Sequence, residues 1–361
     1  MKILILKGEA KEIGRQHGEQ GKEEIINSLE TYERLFYGYQ KIRWNTVKER
    51  AKIHLPAIEA FDESLLEEMA GVAEGAGIDF LDVLALNARS EIALTGDAHT
   101  SFTDGCTSIG ISTPLTSNTI IGQNWDWKEE QKDSLLLLKI QRENKPDIIM
   151  ITEGGIIGKI GCNEYSLGVC LNALMTNKKS NGVPIHLGLR SILDSTSLHE
   201  AIGKLQEGQL ASAANFLIGY SEGEHRGMVL HVEVSPYGIG IANNETNYGV
   251  HTNHICSPEI LLSLKDYNNL RFSDSIIRKR RAENMIEKAI KEGRNINECM
   301  FKEWLSDTFN SPKSINRYVN REAPEHLQSE TIFSIIMNLT SKDIYVCEGM
   351  PAHNTYQKIS V

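Results

Sequence analysis

Thr100-Ser101-Phe102-Thr103-Asp104-Gly105-Cys106-Thr107-Ser108 divides the chain into two regions of different habit. Ahead of it, apolar residues recur at helical spacing. Ile25, Leu29, Tyr32, Leu35 and Phe36 form one such set, and Leu65, Met69 and Val72 another. Asp79-Phe80-Leu81-Asp82 then opens a helix that runs toward Ile92 and Leu94. Behind the junction come short β-rich runs at 119–122, 135–140, 148–152 and 229–234, and Ser235-Pro236-Tyr237-Gly238 follows as a turn. Helices return over 184–193 and from about 266 to 291. The final runs, 331–339 and 343–346, read as a hairpin turning at Thr340-Ser341-Lys342. The predicted organisation is a mostly helical segment, residues 1–105, leading into a mixed body, residues 106–361.

The junction also has chemistry. It is polar and turn-prone, as suits an exposed loop. Gly105 places the least bulky residue on the acyl side of the bond to Cys106, and glycine tolerates backbone angles that weaken peptide resonance. The Cys106 thiol can then attack the preceding carbonyl, shift the acyl group from nitrogen to sulfur and leave a hydrolysable thioester. Cleavage would give Cys106 a free α-amine with a pKa of about 8, beside a thiol of about 8.5. That amine suits the role of base for its own thiol near neutral pH, and no histidine is required. An isolated Gly-Cys pair is more often a buried structural cysteine, so the surrounding sequence has to decide.

Composition excludes several classes. With 361 residues, 40% of them hydrophobic and 24% charged, the chain has ample material for a core and no disordered or collagen-like bias. A formal net charge of -10 disfavours nucleic acid or an anionic membrane surface as partner. The six cysteines lie apart without CxxC pairs, so neither a zinc motif nor a disulfide framework is expected, and reduced thiols in a cytoplasm are. The opening Met1-Lys2-Ile3-Leu4-Ile5-Leu6-Lys7 has too short an apolar run for a signal peptide, and no run reaches the length of a membrane span.

Several blocks widen the pattern. They are Asp104-Gly105-Cys106-Thr107-Ser108, Gly122-Gln123-Asn124-Trp125-Asp126, and the run from Thr152-Glu153-Gly154-Gly155 to Lys159-Ile160-Gly161. Asn172-Ala173-Leu174, Gly182-Val183-Pro184, His251-Thr252-Asn253-His254 and Ser314-Ile315-Asn316-Arg317 follow, before a Thr331-led last strand. Upstream stand Gly14-Arg15-Gln16-His17-Gly18 and Asn87-Ala88-Arg89-Ser90-Glu91. In content and order the chain resembles the acyl-coenzyme A:6-aminopenicillanic acid acyltransferase family, a group of autoproteolytic N-terminal-nucleophile enzymes. The resemblance implies an α+β fold, the four-layer αββα sandwich of Ntn hydrolases, with a mostly helical N-terminal segment. Residues 1–105 would stay bound as a small chain after cleavage between Gly105 and Cys106, so the two cleaved chains associate.

The same resemblance assigns Cys106 as nucleophile, Asp126 as the carboxylate that orients its amine, Arg317 as support for that cluster and Asn253 as oxyanion donor. A carboxylate favours the charged amine and a cation offsets it, while a side-chain amide suits a developing oxyanion. The reaction implied is attack on an amide or acyl-thioester of a small-molecule substrate, followed by transfer to water or an amine. No cofactor is expected. Two alternatives remain at this level: an uncut Cys/His hydrolase using His251 or His254, and a non-enzymatic binding protein on the same scaffold.

The remaining candidates read more plainly. Asn172 follows a β-like run and is a candidate substrate contact, with His251. Trp125 shares one strand face with Trp127, opposite Asn124 and Asp126, and could wall a pocket or fill a core. His251 and His254 lack an acidic or cysteine partner at ligand spacing, so no metal site is expected. Glu153-Gly154-Gly155 with Gly158 and Gly161 matches no phosphate motif and reads as turns beside the site. Arg278-Lys279-Arg280-Arg281 reads as a solvated helix face.

Overall fold

The computed structural model describes residues 1–93, 105–208, 210–242, 246–268, 273–324 and 327–359. The loop expected ahead of Gly105, and the helix end expected at Leu94, lie outside the described residues. The strands run in chain order β1 (Lys2–Lys7), β2 (Thr107–Ile111), β3 (Ile120–Trp127), β4 (Leu135–Gln141), β5 (Ile148–Glu153), β6 (Ile160–Asn163) and β7 (Leu167–Ala173). They continue with β8 (Ala214–Ser221), β9 (Gly227–Ser235), β10 (Gly238–Ile241), β11 (Tyr248–His251), β12 (Glu330–Asn338), β13 (Asp343–Glu348) and β14 (Gln357–Ile359).

These strands make two sheets. One has eight strands in the order β1-β4-β5-β6-β7-β8-β9-β10, and the other six in the order β11-β2-β3-β12-β13-β14. The pairing is antiparallel throughout except where β1 lies parallel to β4. Every residue of β3, β5, β7 and β12 is buried. That burial explains why these strands carry apolar residues on both faces: each is covered from both sides. The sheets meet closely where one of them lacks side chains. A Cβ placed on Gly219 would lie 2.6 Å from Leu339 and 2.8 Å from Ile121, so Ile121 of β3 and Leu339, just after β12, insert at Gly168 and Gly219 of the larger sheet. Gln123 of β3 crosses the gap, its amide pairing with the backbone of Leu171, whose N–H donates to Oε1 at 2.8 Å.

Helices cover both outer faces. On the larger sheet lie α1 (Ala10–Gln20), α2 (Lys22–Gln40), α3 (Trp44–Ala51), α4 (Leu55–Ala76), α5 (Phe80–Asn87), α6 (Arg89–Ala93) and, later, α7 (Ile185–Leu193). Helices Ser273–Lys291 and Glu298–Leu305 cover the smaller sheet, where Ala282, Ile286, Phe301 and Trp304 pack on Ile109, Ile120 and Ile336. The result is helix, sheet, sheet, helix.

Within the front layer α1 and α4 approach to backbone contact. Added Cβ atoms at Gly14 and Gly71 would lie 1.9 Å from Glu68 O and 2.1 Å from Lys11 O, and Gly18 and Gly75 meet the opposite helix as tightly. Small residues four apart on each helix permit this approach.

Three expectations about elements are corrected. The front segment opens on a strand, β1, whose Leu4 and Leu6 are buried while Ile3 and Ile5 are exposed. The helix expected from Asp79 toward Ile92 is two, α5 capped by Asp79 through Leu81 N–H at 3.0 Å, and α6 after a break at Ala88. The long helix begins at Ser273 among the described residues; Asp266 is occupied instead in accepting the N–H groups of Ile255 at 2.7 Å and Asn268 at 2.8 Å.

Candidate active site

Cys106 is buried immediately before β2, an interior strand of the smaller sheet that lies between β11 and β3. Thr107 pairs with Asn124, so Cys106 falls opposite Trp125 and the two lean toward the larger sheet, while Thr107 leans toward helix Ser273–Lys291. Gly105 is packed against a guanidinium: a Cβ there would lie 2.2 Å from Arg317 Nε. No side chain fits at that position without displacing the arginine.

On the helix side of the sheet a chain of charges links the site. Arg317 Nε donates to Asp126 Oδ2 at 3.2 Å, and Thr331 Oγ1 donates to Asp126 Oδ1 at 2.6 Å from the neighbouring strand. Arg317 Nη2 also donates to Asp274 Oδ2 at 2.6 Å, and Arg278 lies one helical turn from Asp274, with Nε 3.4 Å from the same oxygen. Arg278 Nη1 donates to the Cys106 carbonyl at 2.7 Å and to Thr107 Oγ1 at 2.9 Å, while Nη2 donates to Asn253 Oδ1 at 3.0 Å. Because a guanidinium only donates, this contact fixes which way the Asn253 amide points. Asn253 Nδ2 faces the carbonyl of Ala173 at 3.2 Å, and the Asn253 N–H donates to Ser275 Oγ at 2.8 Å. Cys106, Asp126, Asn253 and Arg317 thus stand in one hydrogen-bonded network. Burial works to raise the pKa of Asp274, but Arg278 and Arg317 outweigh it and hold the group at about 2. Burial lowers the pKa of Arg278 itself.

On the other face, Trp125 stacks with Trp127 at 6.2 Å and leans on Phe333 at 5.4 Å. Lys159 Nζ lies 3.2 Å from the Trp125 ring centre and pairs with buried Glu153, which also binds Arg89 at 2.9 Å and the Tyr32 hydroxyl. Burial pushes Lys159 down to about 8 despite Glu153, and Cys106 is near enough to act on it electrostatically. The Gly154-Gly155 turn follows that carboxylate directly.

Other candidates are engaged within the protein. Asn172 Oδ1 accepts from Ser108 Oγ at 2.6 Å and Asn215 Nδ2 at 2.9 Å, and Nδ2 reaches the His251 carbonyl at 3.5 Å. His251 has Nε2 2.7 Å from Glu233 Oε1 and Nδ1 2.9 Å from Thr252 O, while His254 Nδ1 lies 2.8 Å from Ser275 Oγ. The acidic and thiol partners that the sequence did not place beside His251 are present: Glu233, His251 and Cys256 bring ligand atoms within 4.8 Å of one another. Packing of the larger sheet, which carries Glu233 on β9, against the smaller, which carries His251 on β11, brings the two together across 18 residues of chain.

Arg278, Asp274 and Ser275 are the residues that sequence reading missed. The basic run is a solvated face for three of its four members: Lys279 and Arg280 pair with Glu283, and Arg281 with Asp307. Arg278 is buried. The available signal was periodicity, because Ser275, Arg278, Ala282, Ile286 and Ala289 form one helical stripe.

Two stacked sheets between helical layers, with a cysteine heading an interior strand and an amide and paired charges linked to it, define an αββα sandwich with a candidate thiol site between its layers. A family model described as acyl-coenzyme A:6-aminopenicillanic acid acyl-transferase matches residues 115–353. The acyl-coenzyme A:6-aminopenicillanic-acid-acyltransferase 40 kDa form of Emericella nidulans is 31% identical over 351 residues, covering 96% of this chain and 92% of that one. The chain belongs to the acyl-coenzyme A:6-aminopenicillanic acid acyltransferase family. Among solved structures, a mutant conjugated bile acid hydrolase from Clostridium perfringens superposes with a TM-score of 0.51 at 12% identity, over 71% of this chain and 92% of that one. That likeness is one of fold. The protein is accordingly an enzyme of acyl transfer or amide hydrolysis. No helix among the described residues is long and apolar enough to cross a membrane.

Proposed function

We propose that the chain cuts itself between Gly105 and Cys106, and that Cys106 then serves as the thiol nucleophile for breaking or transferring an acyl–nitrogen or acyl–sulfur bond. In the first step the thiol adds to the Gly105 carbonyl, the C–N bond breaks and a thioester forms. Water then cleaves the thioester, leaving a carboxylate on Gly105 and an α-amine on Cys106. In turnover that amine accepts the thiol proton, the thiolate forms an acyl-enzyme with substrate, and water or an amine takes the acyl group. Residues 1–105 become the small chain and residues 106–361 the catalytic one.

The observation that carries this reading is the single link from Asp126 through Arg317, Asp274 and Arg278 to the Cys106 carbonyl and the Asn253 amide. It supports Asp126 and Arg317 as the charge pair beside the new amine, and Asn253 as an amide fixed for an oxyanion. Commitment of both His251 ring nitrogens to Glu233 and Thr252, and of His254 Nδ1 to Ser275, favours this reading over a histidine-driven one. Small-molecule amides and acyl thioesters are the substrate class proposed, acting in a cytoplasm. The test is a rapid acid quench with a chromogenic aryl amide or an acyl thioester, read by mass spectrometry. A hydroxylamine-labile acyl adduct on the peptide that begins Cys-Thr-Ser is expected. Turnover without any adduct at Cys106 overturns the reading.

A further inference from the structure

We infer that Glu233, His251 and Cys256 form a binding site for a borderline divalent cation, with Zn2+ the best match. The donors come from three places, β9, the end of β11 and the loop behind it, and converge to within 4.8 Å. One imidazole, one carboxylate and one thiolate are the mixed N, O and S set that such an ion takes in tetrahedral geometry, leaving a fourth position for water. Glu233 and His251 are fully buried, whereas Cys256 is only partly so, which leaves a way for an ion to enter from its side.

The neighbours orient these donors. His251 Nδ1 is 2.9 Å from the Thr252 carbonyl, an atom that only accepts, so Nδ1 carries a hydrogen and Nε2 is the nitrogen presented to the cluster. A backbone acceptor on the far nitrogen is the usual support of a metal-binding imidazole. Nε2 and Glu233 Oε1, 2.7 Å apart, would repel as two lone pairs and need a positive charge between them. A proton meets that need in the empty site, and a divalent ion bound also by sulfur would replace it. The shared proton and the thiol proton leave to solvent as the ion enters. The carboxylate cannot turn away, because Cys256 N–H donates to Oε1 at 2.6 Å and Ser257 N–H to Oε2 at 2.9 Å. These same bonds hold Cys256 over the cluster. The site is distinct from the proposed catalytic thiol, although His251 and Cys256 bracket the segment that carries Asn253.

The inference is tested by stripping the purified full chain with EDTA and titrating Zn2+ against a chromophoric chelator. One equivalent is expected to bind with a dissociation constant of about micromolar or tighter. Cys256→Ser and Glu233→Gln should each weaken it by about tenfold or more, while Cys299→Ser, which removes an exposed thiol elsewhere, and Cys106→Ser should leave it unchanged. Co2+ in place of Zn2+ should give thiolate-to-metal charge-transfer absorption in the wild type and in Cys106→Ser. That spectrum decides the matter even if the Cys256 and Glu233 variants fail to fold. Absence of a tight equivalent, loss of binding in Cys106→Ser, or well-folded Cys256 and Glu233 variants that bind like the wild type would each overturn the inference. Because binding rather than turnover is read, the outcome is independent of whether Cys106 is the nucleophile.

Discussion

At Arg278 one guanidinium spans the Cys106 carbonyl, the Thr107 hydroxyl and the Asn253 amide oxygen. If Asn253 stabilises an oxyanion, its direction depends on this contact, because Arg278 is the donor that Oδ1 meets among the described residues. Arg278→Met should therefore lower kcat about as much as removing one oxyanion donor, roughly 10²- to 10³-fold. Arg278→Lys keeps the charge but cannot span acceptors held by a planar fork, so it should fold better than the Met variant and recover little of the rate. Steady-state kinetics on a chromogenic amide, with KM within a few-fold of wild type and a melting curve for each variant, checks this. A lysine variant with wild-type kcat would contradict it. Cys106, Asp126, Asn253 and Arg317 could be named as candidates from the sequence because each sits in a short motif of distinctive composition. Arg278 was hidden inside a basic run whose other members do face solvent, and Glu233 by the distance along the chain that the packing of one sheet on the other erases.

At the level of elements, the contacts of the front segment with the body are specific enough to be tested one by one. Gly71→Ala puts a Cβ 2.1 Å from Lys11 O across the α1–α4 crossing. Overpacking of this kind costs about 1–3 kcal/mol, and more where the clash is with backbone that cannot yield. A drop of several degrees in melting temperature is expected by calorimetry, whereas Gly203→Ala, in open space on a helix, should not lower it. His17 is the second test. It accepts the Gly155 N–H at 3.2 Å and is buried, and burial, with Arg190 nearby, lowers its pKa to about 4.

Between pH 6.5 and about 4 the unfolded chain binds a proton at this histidine that the folded chain refuses. The contribution is whole above 6.5 and fades as pH falls toward 4, by at most about 3 kcal/mol. His17→Gln should be less stable at pH 7 yet lose less between pH 6.5 and 4.5 in urea titrations; parallel curves for the two proteins would contradict this. In the body, the strand runs at 135–140, 148–152, 229–234, 331–339 and 343–346 were readable as apolar runs bounded by turn residues, whereas β2, β6, β8, β10 and β11 were not named from the sequence. β1 was not, because four apolar residues flanked by lysines carry no sign of the parallel partner that completes them.

Across the whole molecule, the link between the two regions does not depend on the peptide bond at the junction. β1 is hydrogen-bonded into the larger sheet beside β4. Glu68 accepts two bonds from Arg190, at 2.8 and 2.7 Å, and Arg89 reaches Glu153 at 2.9 Å, all buried. After cleavage the two fragments should elute together in gel filtration and separate only in denaturant; separate elution in native buffer would contradict this. The αββα architecture was legible as a whole because the family motifs run in order from the junction to the last strand. Seen from any one motif it was not legible, since the sandwich is assembled from glycines, such as Gly168 and Gly219, that matter only once the opposite sheet is known.

The most direct measurement on the central claim is intact mass with N-terminal sequencing of the purified protein, beside Cys106→Ala. Wild type should give fragments of about 12 and about 29 kDa, in proportion to residues 1–105 and 106–361 of a 40.4 kDa chain, the larger beginning Cys-Thr-Ser. The alanine variant should remain a single chain. Active wild-type protein in which residue 105 is still joined to residue 106 would contradict the account.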